Sequence, residues 1–415
     1  MLDVKRIRQD FPILNRQVNN RPLVYLDNGA TAQMPVQVMR AVEEQYRMYQ
    51  ANIHRGIHYL SEISTSRVEA VRGKVAEFIG AAESCEIVFT SGTTDSINIA
   101  ARSFCDAFVN EGDVILSTEL EHHSNFIPWQ EAAKRRNAVF RVVHVDGCGN
   151  LNMEELKELL KLKPKIFAVT CVSNVIGTVT PVEEIISLAH EAGCAVLLDG
   201  AQAMKHRRFN VKELGCDFLC FSGHKIMAPN GVGVLYGRRE YLEKMQPVSF
   251  GGGMVDVVEE AYSTYDDIPF KFEAGTQNIA GIIGLGAAID YINEIGLEQI
   301  AEAEDELVRY TCERLKSIGG CECGTVEASV IRILGKPERR AGAVSFVIDG
   351  VHSYDAAKLL DQMGIAIRSG HHCAQPLLRA FAVEHAVRVT PAFYNTREEI
   401  DALAEGLERV IAMFG

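Results

Sequence analysis

The stretch RSGHHCAQP, from Arg368 to Pro376, places one cysteine beside two histidines and an arginine. A thiolate is a strong nucleophile and a ligand for zinc, whereas a buried thiol behaves as a small hydrophobe. Neighbouring positive charge lowers the pKa of a thiol, so Arg368 could activate Cys373, with smaller help from His371 and His372. This stretch alone leaves three interpretations of Cys373 open: a metal ligand, a nucleophile or an inert thiol.

A lysine and an aspartate end two apolar, strand-like runs farther upstream. LLDGAQ ends its run with Asp199, and FSGHK ends the next one with Ser222, His224 and Lys225. A lysine in apolar surroundings has a lowered pKa, which frees its amine for Schiff-base chemistry. The alternative for Lys225 is a solvated charge on a loop.

Two further motifs add an anion site and a flat side chain. SGTTDS, residues 91–96, joins a strand to a helix through a glycine followed by Thr93 and Thr94, and such a helix start can hold a phosphate or simply be capped. TELEHHSN places His122 at another strand end, where it could stack on a ring or lie on the surface. Phosphate donors, an aspartate for a pyridinium nitrogen and a reactive lysine are together what pyridoxal phosphate requires of a protein.

These motifs occur in the order typical of one known family. The chain resembles group II cysteine desulfurases, the SufS-like or selenocysteine-lyase-like branch of the fold-type I pyridoxal-phosphate enzymes. The resemblance covers almost the whole chain and is carried by YLDNGAT, HRGIH, SGTT, EHHSN, VSNVIGT, DGAQ, FSGHK, FEAGTQN, RSGHHCAQP and FYNT. It implies an enzyme, a sulfur-transferring transferase that converts L-cysteine to L-alanine with pyridoxal 5'-phosphate as cofactor.

The resemblance also implies how the cofactor is held. It makes Lys225 the Schiff-base lysine, Asp199 the partner of the pyridinium nitrogen and His122 the residue that stacks on the ring. Gln202 would donate to the phenolic oxygen. The phosphate ligands that it implies are Thr93, Thr94, Ser222, His224 and, from a second subunit of a homodimer, Thr276.

Other matching residues concern the substrate and the sulfur. The resemblance implies that Asn174, next to the cofactor, and Arg388 bind the substrate carboxylate, and we add Arg368 to this group. Lys225 would remove the Cα proton, and the Cys373 thiolate would attack the substrate sulfur and become a persulfide. That sulfur would pass to a SufE-like or SufU-like acceptor protein for iron–sulfur cluster assembly. Ser91 and Pro391 depart from the usual family pattern without removing any of these residues.

The elements that must position these residues follow from the hydrophobic pattern. Apolar runs alternate with amphipathic helices up to about residue 285, which predicts an α/β fold with a mostly parallel sheet between helices. Ligands bind at the carboxyl ends of such strands, where these polar residues lie. TPVEEIISLAHEAG predicts a helix with Thr180 as N-cap that stops before Gly193. We expect a large pyridoxal-phosphate-binding domain over residues 22–288 and a smaller α+β domain, residues 1–21 and 289–415, that carries Cys373.

Composition limits the partners. Forty-two Lys and Arg against 55 Asp and Glu give a net charge of −13, which disfavours nucleic acids and anionic membrane surfaces. The N-terminus has no apolar signal-like core, and the run at 279–289 is shorter than the roughly 20 residues of a membrane span. Eleven scattered cysteines are typical of reduced thiols. We therefore expect a cytoplasmic protein without a membrane partner.

Three alternatives remain at this point. The chain could be a selenocysteine lyase, or another fold-type I lyase or aminotransferase in which Cys373 is idle. A non-enzymatic zinc protein is the alternative from a different class. The residue types that zinc favours are His54 and His58, His122 and His123, and the run His371, His372 and Cys373. Adjacent side chains on an extended loop point apart, so no resident metal is expected.

Overall fold

The computed structural model describes residues 2–318 and 330–414 of the chain. The α-helices are α1 Val4–Arg8, α2 Val36–Met48, α3 Tyr59–Ile79, α4 Thr93–Phe108, α5 His123–Arg136, α6 Met153–Leu160, α7 Val182–Glu191, α8 Val211–Leu214, α9 Arg239–Lys244, α10 Ile279–Ile295, α11 Leu297–Ser317, α12 Ser353–Gln362, α13 Gln375–Ala380 and α14 Arg397–Phe414. The strands are β1 Gln17–Val18, β2 Arg21–Pro22, β3 Val24–Tyr25, β4 Ile87–Thr90, β5 Val114–Thr118, β6 Val139–Val143, β7 Ile166–Thr170, β8 Ala195–Asp199, β9 Phe218–Ser222, β10 Gly233–Gly237, β11 Val255–Val258, β12 Ser263–Tyr265, β13 Ile331–Ile333, β14 Val344–Ile348, β15 Ile365–Ala366, β16 Arg368–Gly370 and β17 Ala386–Val389.

A seven-stranded sheet forms the centre of the molecule, in the order β4-β10-β9-β8-β7-β5-β6. Strand β10 runs antiparallel to both β4 and β9, and the other pairs are parallel. The prediction of a mostly parallel α/β sheet is therefore confirmed. Because β8 and β9 are parallel neighbours, their carboxyl ends bring Asp199 and Ser222 to the same edge of the sheet.

Helices cover both faces of this sheet, as its near-continuous apolar strands require. Successive residues of a strand point to opposite faces. In β8, Val196 and Leu198 belong to one apolar cluster, whereas Ala195 and Leu197 belong to another. Water is thus excluded from both sides of the strand that ends at Asp199.

A second, four-stranded antiparallel sheet has the order β13-β14-β17-β16. Leu307 of α11, Phe346 of β14 and Leu407 of α14 pack in its apolar cluster. Strand β3 pairs in parallel with β15, and Val24 joins the same cluster. Residues 24–25 therefore contact the C-terminal part of the chain, and the domain division at residues 22–288 stays a prediction.

Helix α7 begins one residue later than its sequence predicts. Its N-cap is Pro181, and the buried hydroxyl of Thr180 has no hydrogen-bond partner among the described residues, so the prediction of Thr180 as N-cap is wrong. The backbone N–H of Thr180 donates to Cys171 O at 3.0 Å, which keeps this residue in the extended chain before the helix. The predicted stop is confirmed, since α7 ends before Gly193, whose φ is +74°.

A helix that spans a membrane must be both long and apolar. Within residues 2–318 and 330–414, no single helix is both long and apolar enough to cross a membrane. Helices α10 and α11 meet these criteria only as a pair, with a bend of 79° between them.

One buried ion pair ties α3 to the segment before α10. Arg72 donates to Glu273 Oε1 at 2.6 Å and to Oε2 at 3.0 Å, and both side chains are at most 3% exposed. Arg72 also donates to Ile87 O, and Glu273 accepts from the N–H of Phe89. This pair therefore fixes edge strand β4 and the FEAGTQN segment at the same time.

Replacing Glu273 with alanine leaves the Arg72 guanidinium buried without this carboxylate. We expect the free energy of unfolding to fall by about 3 kcal/mol, because the buried guanidinium keeps only the partly exposed Glu69 as a charged partner. Urea denaturation measures the loss. The matched control is Glu313→Ala, which removes the exposed partner of Arg309 and should cost less than about 1 kcal/mol. Equal losses in the two variants would contradict this prediction.

Candidate active site

A cavity of about 480 Å³ lies at the carboxyl edge of the central sheet. The polar side chains at the ends of β7, β8 and β9 meet there with the loop between β16 and α13. The predicted site residues that line this cavity are Thr93, Thr94, His122, Asn174, Asp199, Gln202, Ser222, His224, Lys225, Arg368, Cys373 and Arg388. Residues far apart in the chain are thus brought together as the sequence analysis expects.

Lys225 lies on the short 3-10 turn Gly223–Ile226 that directly follows β9. Its Nζ donates to Gly29 O at 2.9 Å. Burial, and next the positive charge of Arg388, lower the pKa of Lys225 to about 7. A large fraction of this amine is therefore uncharged at neutral pH, as a nucleophilic or basic lysine requires.

Asp199 is 4% exposed, and its Oδ1 accepts from the N–H of Ala201 at 2.9 Å. No basic side chain of the described residues lies within ion-pair distance of it. Burial raises the pKa of this carboxyl group. A carboxylate that lacks a cation at the wall of a cavity fits the protonated nitrogen of a pyridine ring.

The start of α4 is held against the end of β9. The Thr93 N–H donates to Ser222 Oγ at 2.7 Å, and the two hydroxyls are also 2.7 Å apart. Strand β10 passes so close that a Cβ on Gly233 would lie 2.3 Å from Gly92 Cα, so only glycine fits there. These hydroxyls and the N-terminal end of a 16-residue helix are suited to a phosphate group.

Burial favours the uncharged form of His122 and His224 in the cavity. His122 is the N-cap of α5, and its Nδ1 accepts from the N–H of Ser124 at 3.0 Å. Burial is the main reason that the pKa of His122 falls to about 3, and that of His224 to about 4. A neutral imidazole at this place is compatible with stacking of His122 on a cofactor ring, which stays a prediction.

An aspartate that the sequence analysis missed holds both predicted substrate arginines. Arg388 donates to Asp27 Oδ1 at 3.0 Å and to Asn174 O at 2.9 Å, and Arg368 donates to Asp27 Oδ2 at 3.4 Å. Asp27 belongs to YLDNGAT, a segment that carried the resemblance but received no role. Gly29 of that segment was missed as well, and its carbonyl oxygen accepts from both Lys225 and Gln202.

Cys373 lies half-buried on the loop before α13, with φ of +55°. Its N–H donates to His371 Nδ1 at 3.0 Å. The neighbouring His372 is buried, and its Nε2 lies 2.9 Å from Ala386 O. Burial lowers the pKa of His372 to about 3, so it carries no charge at neutral pH. The ring of His372 therefore brings no positive charge to Cys373.

Thr276 is the one predicted cofactor residue that does not line the cavity. It is exposed in a separate depression of about 220 Å³, together with His54 and Arg55. The family resemblance implies that Thr276 belongs to the site of a second subunit, and that assignment stays a prediction.

Comparisons with known proteins show the family and the fold. The model of the class-V aminotransferase family matches residues 24–403. A probable cysteine desulfurase of Halalkalibacterium halodurans is 46% identical over 100% of this chain and 99% of its own length. The apo cysteine desulfurase of Thermococcus onnurineus NA1 is 37% identical with a TM-score of 0.91, covering 100% of this chain and 99% of its own. The Escherichia coli cysteine desulfurase CsdA, in an S-sulfonic acid form, is 34% identical with a TM-score of 0.90 and full coverage of both chains.

The lowered pKa of Lys225 can be tested in the protein freed of small molecules. Competitive labelling with acetic anhydride, read by mass spectrometry, should modify Lys225 with a midpoint near pH 7, because burial lowers its pKa to about 7. Exposed Lys157 is the control, since Glu154 raises its pKa and keeps it protonated to far higher pH. A Lys225 labelling curve that follows that of Lys157 would show that the amine is not desolvated.

Proposed function

This chain belongs to the class-V aminotransferase family, and on that premise we propose that it is a pyridoxal-phosphate-dependent cysteine desulfurase. It converts L-cysteine to L-alanine and leaves the sulfur on Cys373. The observation that carries this function is that one cavity contains both the desolvated amine of Lys225 and the half-buried thiol of Cys373. An amine can remove the Cα proton of an amino acid, and a thiol can accept its sulfur.

The residues that line the cavity match each part of pyridoxal phosphate. Thr93, Thr94, Ser222 and His224 would hold the phosphate, and Asp199 would hold the pyridine nitrogen, while His122 would lie on the ring face and Gln202 would donate to the phenolic oxygen. When bound, the cofactor supplies an electron sink for the electron pair that the substrate retains as it loses its Cα proton.

Arg388 orients the substrate. Its planar guanidinium is 3% exposed and already held by Asp27 and the Asn174 carbonyl, so little side-chain freedom is lost when a carboxylate binds. Its buried Nε has no hydrogen-bond partner among the described residues. With the carboxylate fixed, the Cα hydrogen is presented to Lys225, whose Nζ takes the proton.

Cys373 then acts as a thiolate and accepts the sulfur of the substrate. A new S–S bond forms between Cys373 Sγ and the substrate sulfur while the substrate Cβ–Sγ bond breaks. The electron pair of the broken bond stays on the carbon side, which takes up a proton and leaves as L-alanine. Taken together, one thiol of the enzyme and one molecule of L-cysteine give one persulfide and one molecule of L-alanine.

The persulfide sulfur leaves to a small acceptor protein of the SufE-like or SufU-like type, for iron–sulfur cluster assembly. Partial exposure of Cys373 supports direct transfer, because an acceptor thiol must reach the outer sulfur. We further propose that the transfer takes place in the cytoplasm, where the free cysteines of this chain remain reduced.

A second copy of the chain completes the site by contributing Thr276. Exposed apolar side chains support this proposal: Ile57 is 95% exposed and Phe250 is 63% exposed. Arg55, two residues before Ile57, donates to Val255 O at 3.1 Å. This hydrogen bond connects the segment of Ile57 to the segment that follows Phe250, close to the depression that contains Thr276. An apolar surface of this kind is typical of a subunit interface.

The function is tested by Cys373→Ser. We expect it to keep its bound cofactor but to form L-alanine from L-cysteine at least about a hundredfold more slowly, because a serine hydroxyl is not ionised at neutral pH. The wild-type protein, treated with L-cysteine, should gain one sulfur on Cys373 by mass spectrometry. Cys148→Ser, which removes an exposed thiol, is the control and should behave as wild type.

Two outcomes of that experiment would contradict the proposal. Undiminished turnover of L-cysteine in Cys373→Ser would indicate an aminotransferase or another lyase with an idle cysteine. Turnover retained on L-selenocysteine alone, with no sulfur added to the wild-type Cys373, would indicate a selenocysteine lyase.

The second subunit is tested with Ile57→Glu, which places a charge on the proposed interface. We expect sedimentation at twice the chain mass for the wild-type protein and at one chain mass for the variant. Leu162→Glu is the control and should stay dimeric, because Leu162 is 52% exposed at a place away from the proposed interface.

Mixing Thr276→Ala with Lys225→Ala should give more activity than the mean of the two proteins, since mixed dimers regain one complete site. A dimeric Ile57→Glu protein without such complementation would contradict the proposal.

A further inference from the structure

His123, His371 and Cys373 form a cluster at the rim of the cavity. Each offers one ligand atom, an imidazole nitrogen or the Sγ, and these three atoms lie within 4.8 Å of one another. The two imidazole rings are 5.6 Å apart between centroids and inclined by 32°. All three residues are half-buried, so solvent and small ions reach them.

The fold brings these residues together from two segments. His123 is the first residue of α5, whereas His371 and Cys373 lie on the loop between β16 and α13. The His123 N–H donates to Cys373 O at 2.6 Å, and the Gln375 N–H donates to His123 Nε2 at 3.2 Å. These bonds hold the thiol beside both rings, so the cluster is formed before any ligand binds.

Both rings can act as metal ligands, which requires a neutral imidazole with an available lone pair. His123 Nε2 accepts from the Gln375 N–H at 3.2 Å, which requires a lone pair on this ring. His371 Nδ1 accepts from the Cys373 N–H at 3.0 Å, which also requires a lone pair. A metal ion would compete with these two backbone N–H groups or bind the other nitrogen after the ring proton moves. This competition limits the affinity of the cluster for a metal ion, which favours a reversible site over a structural one.

The donor set selects the metal. One thiolate and two imidazoles are ligands for zinc, which binds three protein ligands and leaves a fourth position open at accessible sites. The cluster contains no carboxylate, as calcium or magnesium would need. Tetrahedral zinc bonds place ligand atoms roughly 3.5 Å apart. The three ligand atoms lie within 4.8 Å of one another and both rings are half-buried, so a small inward shift suffices to bind the ion.

We propose that His123, His371 and Cys373 bind a zinc ion reversibly, and that this ion inhibits the enzyme by occupying its nucleophile. On binding, the Cys373 thiol releases its proton and the sulfur lone pair forms a bond to zinc. That lone pair can then no longer attack the substrate sulfur. The inhibition rests on the proposed role of Cys373 as the nucleophile, whereas the binding of zinc does not.

The binding is tested on the holoenzyme by titration with zinc chloride against a chromophoric chelator. His123→Ala and His371→Ala should each bind zinc at least tenfold more weakly than the wild-type protein, since each loses one of three ligands. With cobalt chloride as a spectroscopic probe, the wild-type protein should show a thiolate-to-cobalt absorption band that Cys373→Ser lacks.

Two control variants each remove one possible zinc ligand from elsewhere on the surface. Cys148→Ser removes an exposed thiol, and His352→Ala removes an imidazole whose ring lies 5.5 Å from that of His385, a pair similar in spacing. Both should bind zinc as tightly as the wild-type protein. Equal zinc affinity in the wild-type, His123→Ala and His371→Ala proteins would overturn the proposal.

Inhibition is measured separately, because L-cysteine itself binds zinc. The holoenzyme is loaded with one equivalent of zinc, freed of excess ion by gel filtration and given one equivalent of L-cysteine. We expect L-alanine formation in this single turnover to be at least tenfold slower than without zinc, and a chelator to restore it. Zinc bound through all three residues with undiminished L-alanine formation would overturn the inhibition. In that case, turnover by Cys373→Ser tells whether the assignment of the nucleophile fails as well.

Discussion

The removal of Lys225 and Asp199 from water is the constraint on which the rest of the site depends. A charged amine is disfavoured in such surroundings, and burial therefore brings the pKa of Lys225 to about 7. The same burial raises the pKa of Asp199, and no basic side chain of the described residues lies within ion-pair distance of its carboxylate. Both effects require a sheet that is covered on each face, as the two apolar clusters beside β8 provide. By excluding water from the large sheet, its helices thus shift the pKa values of these two side chains.

Asp27 connects this buried site to the rest of the chain. It accepts from Arg388 of β17 and pairs by a backbone bridge with Thr390, while β3 just before it pairs with β15. The N-terminal segment thereby contacts the C-terminal part of the chain and orients the arginine that we propose binds the substrate. The Gly29 carbonyl, two residues later, accepts from Lys225. One short segment therefore positions both the proposed base and the proposed carboxylate ligand.

Much of this site was predictable from local patterns. Apolar runs that end in polar residues identify the strands, and parallel strands share one carboxyl edge, so Asp199, Ser222 and Lys225 were expected together. Asp27 was missed because its partners are more than 300 positions away and no local pattern indicates them. The role of Gly29 was missed because it uses a backbone carbonyl, which every residue has. Thr180 was predicted as a cap because its sequence suits one, but backbone pairing keeps it extended.

The sequence by itself determined the residue types, the order of strands and helices, and the family that the motifs resemble. Only the tertiary structure decided the charge states, since burial makes His122, His224 and His372 neutral, whereas their sequence neighbours suggest nothing of the kind. It also decided that Cys373 lies beside His123, whose ring accepts from Gln375 across 252 positions. The physical reason is that desolvation and long-range contacts depend on the packed chain as a whole, whereas periodicity and capping act over a few residues.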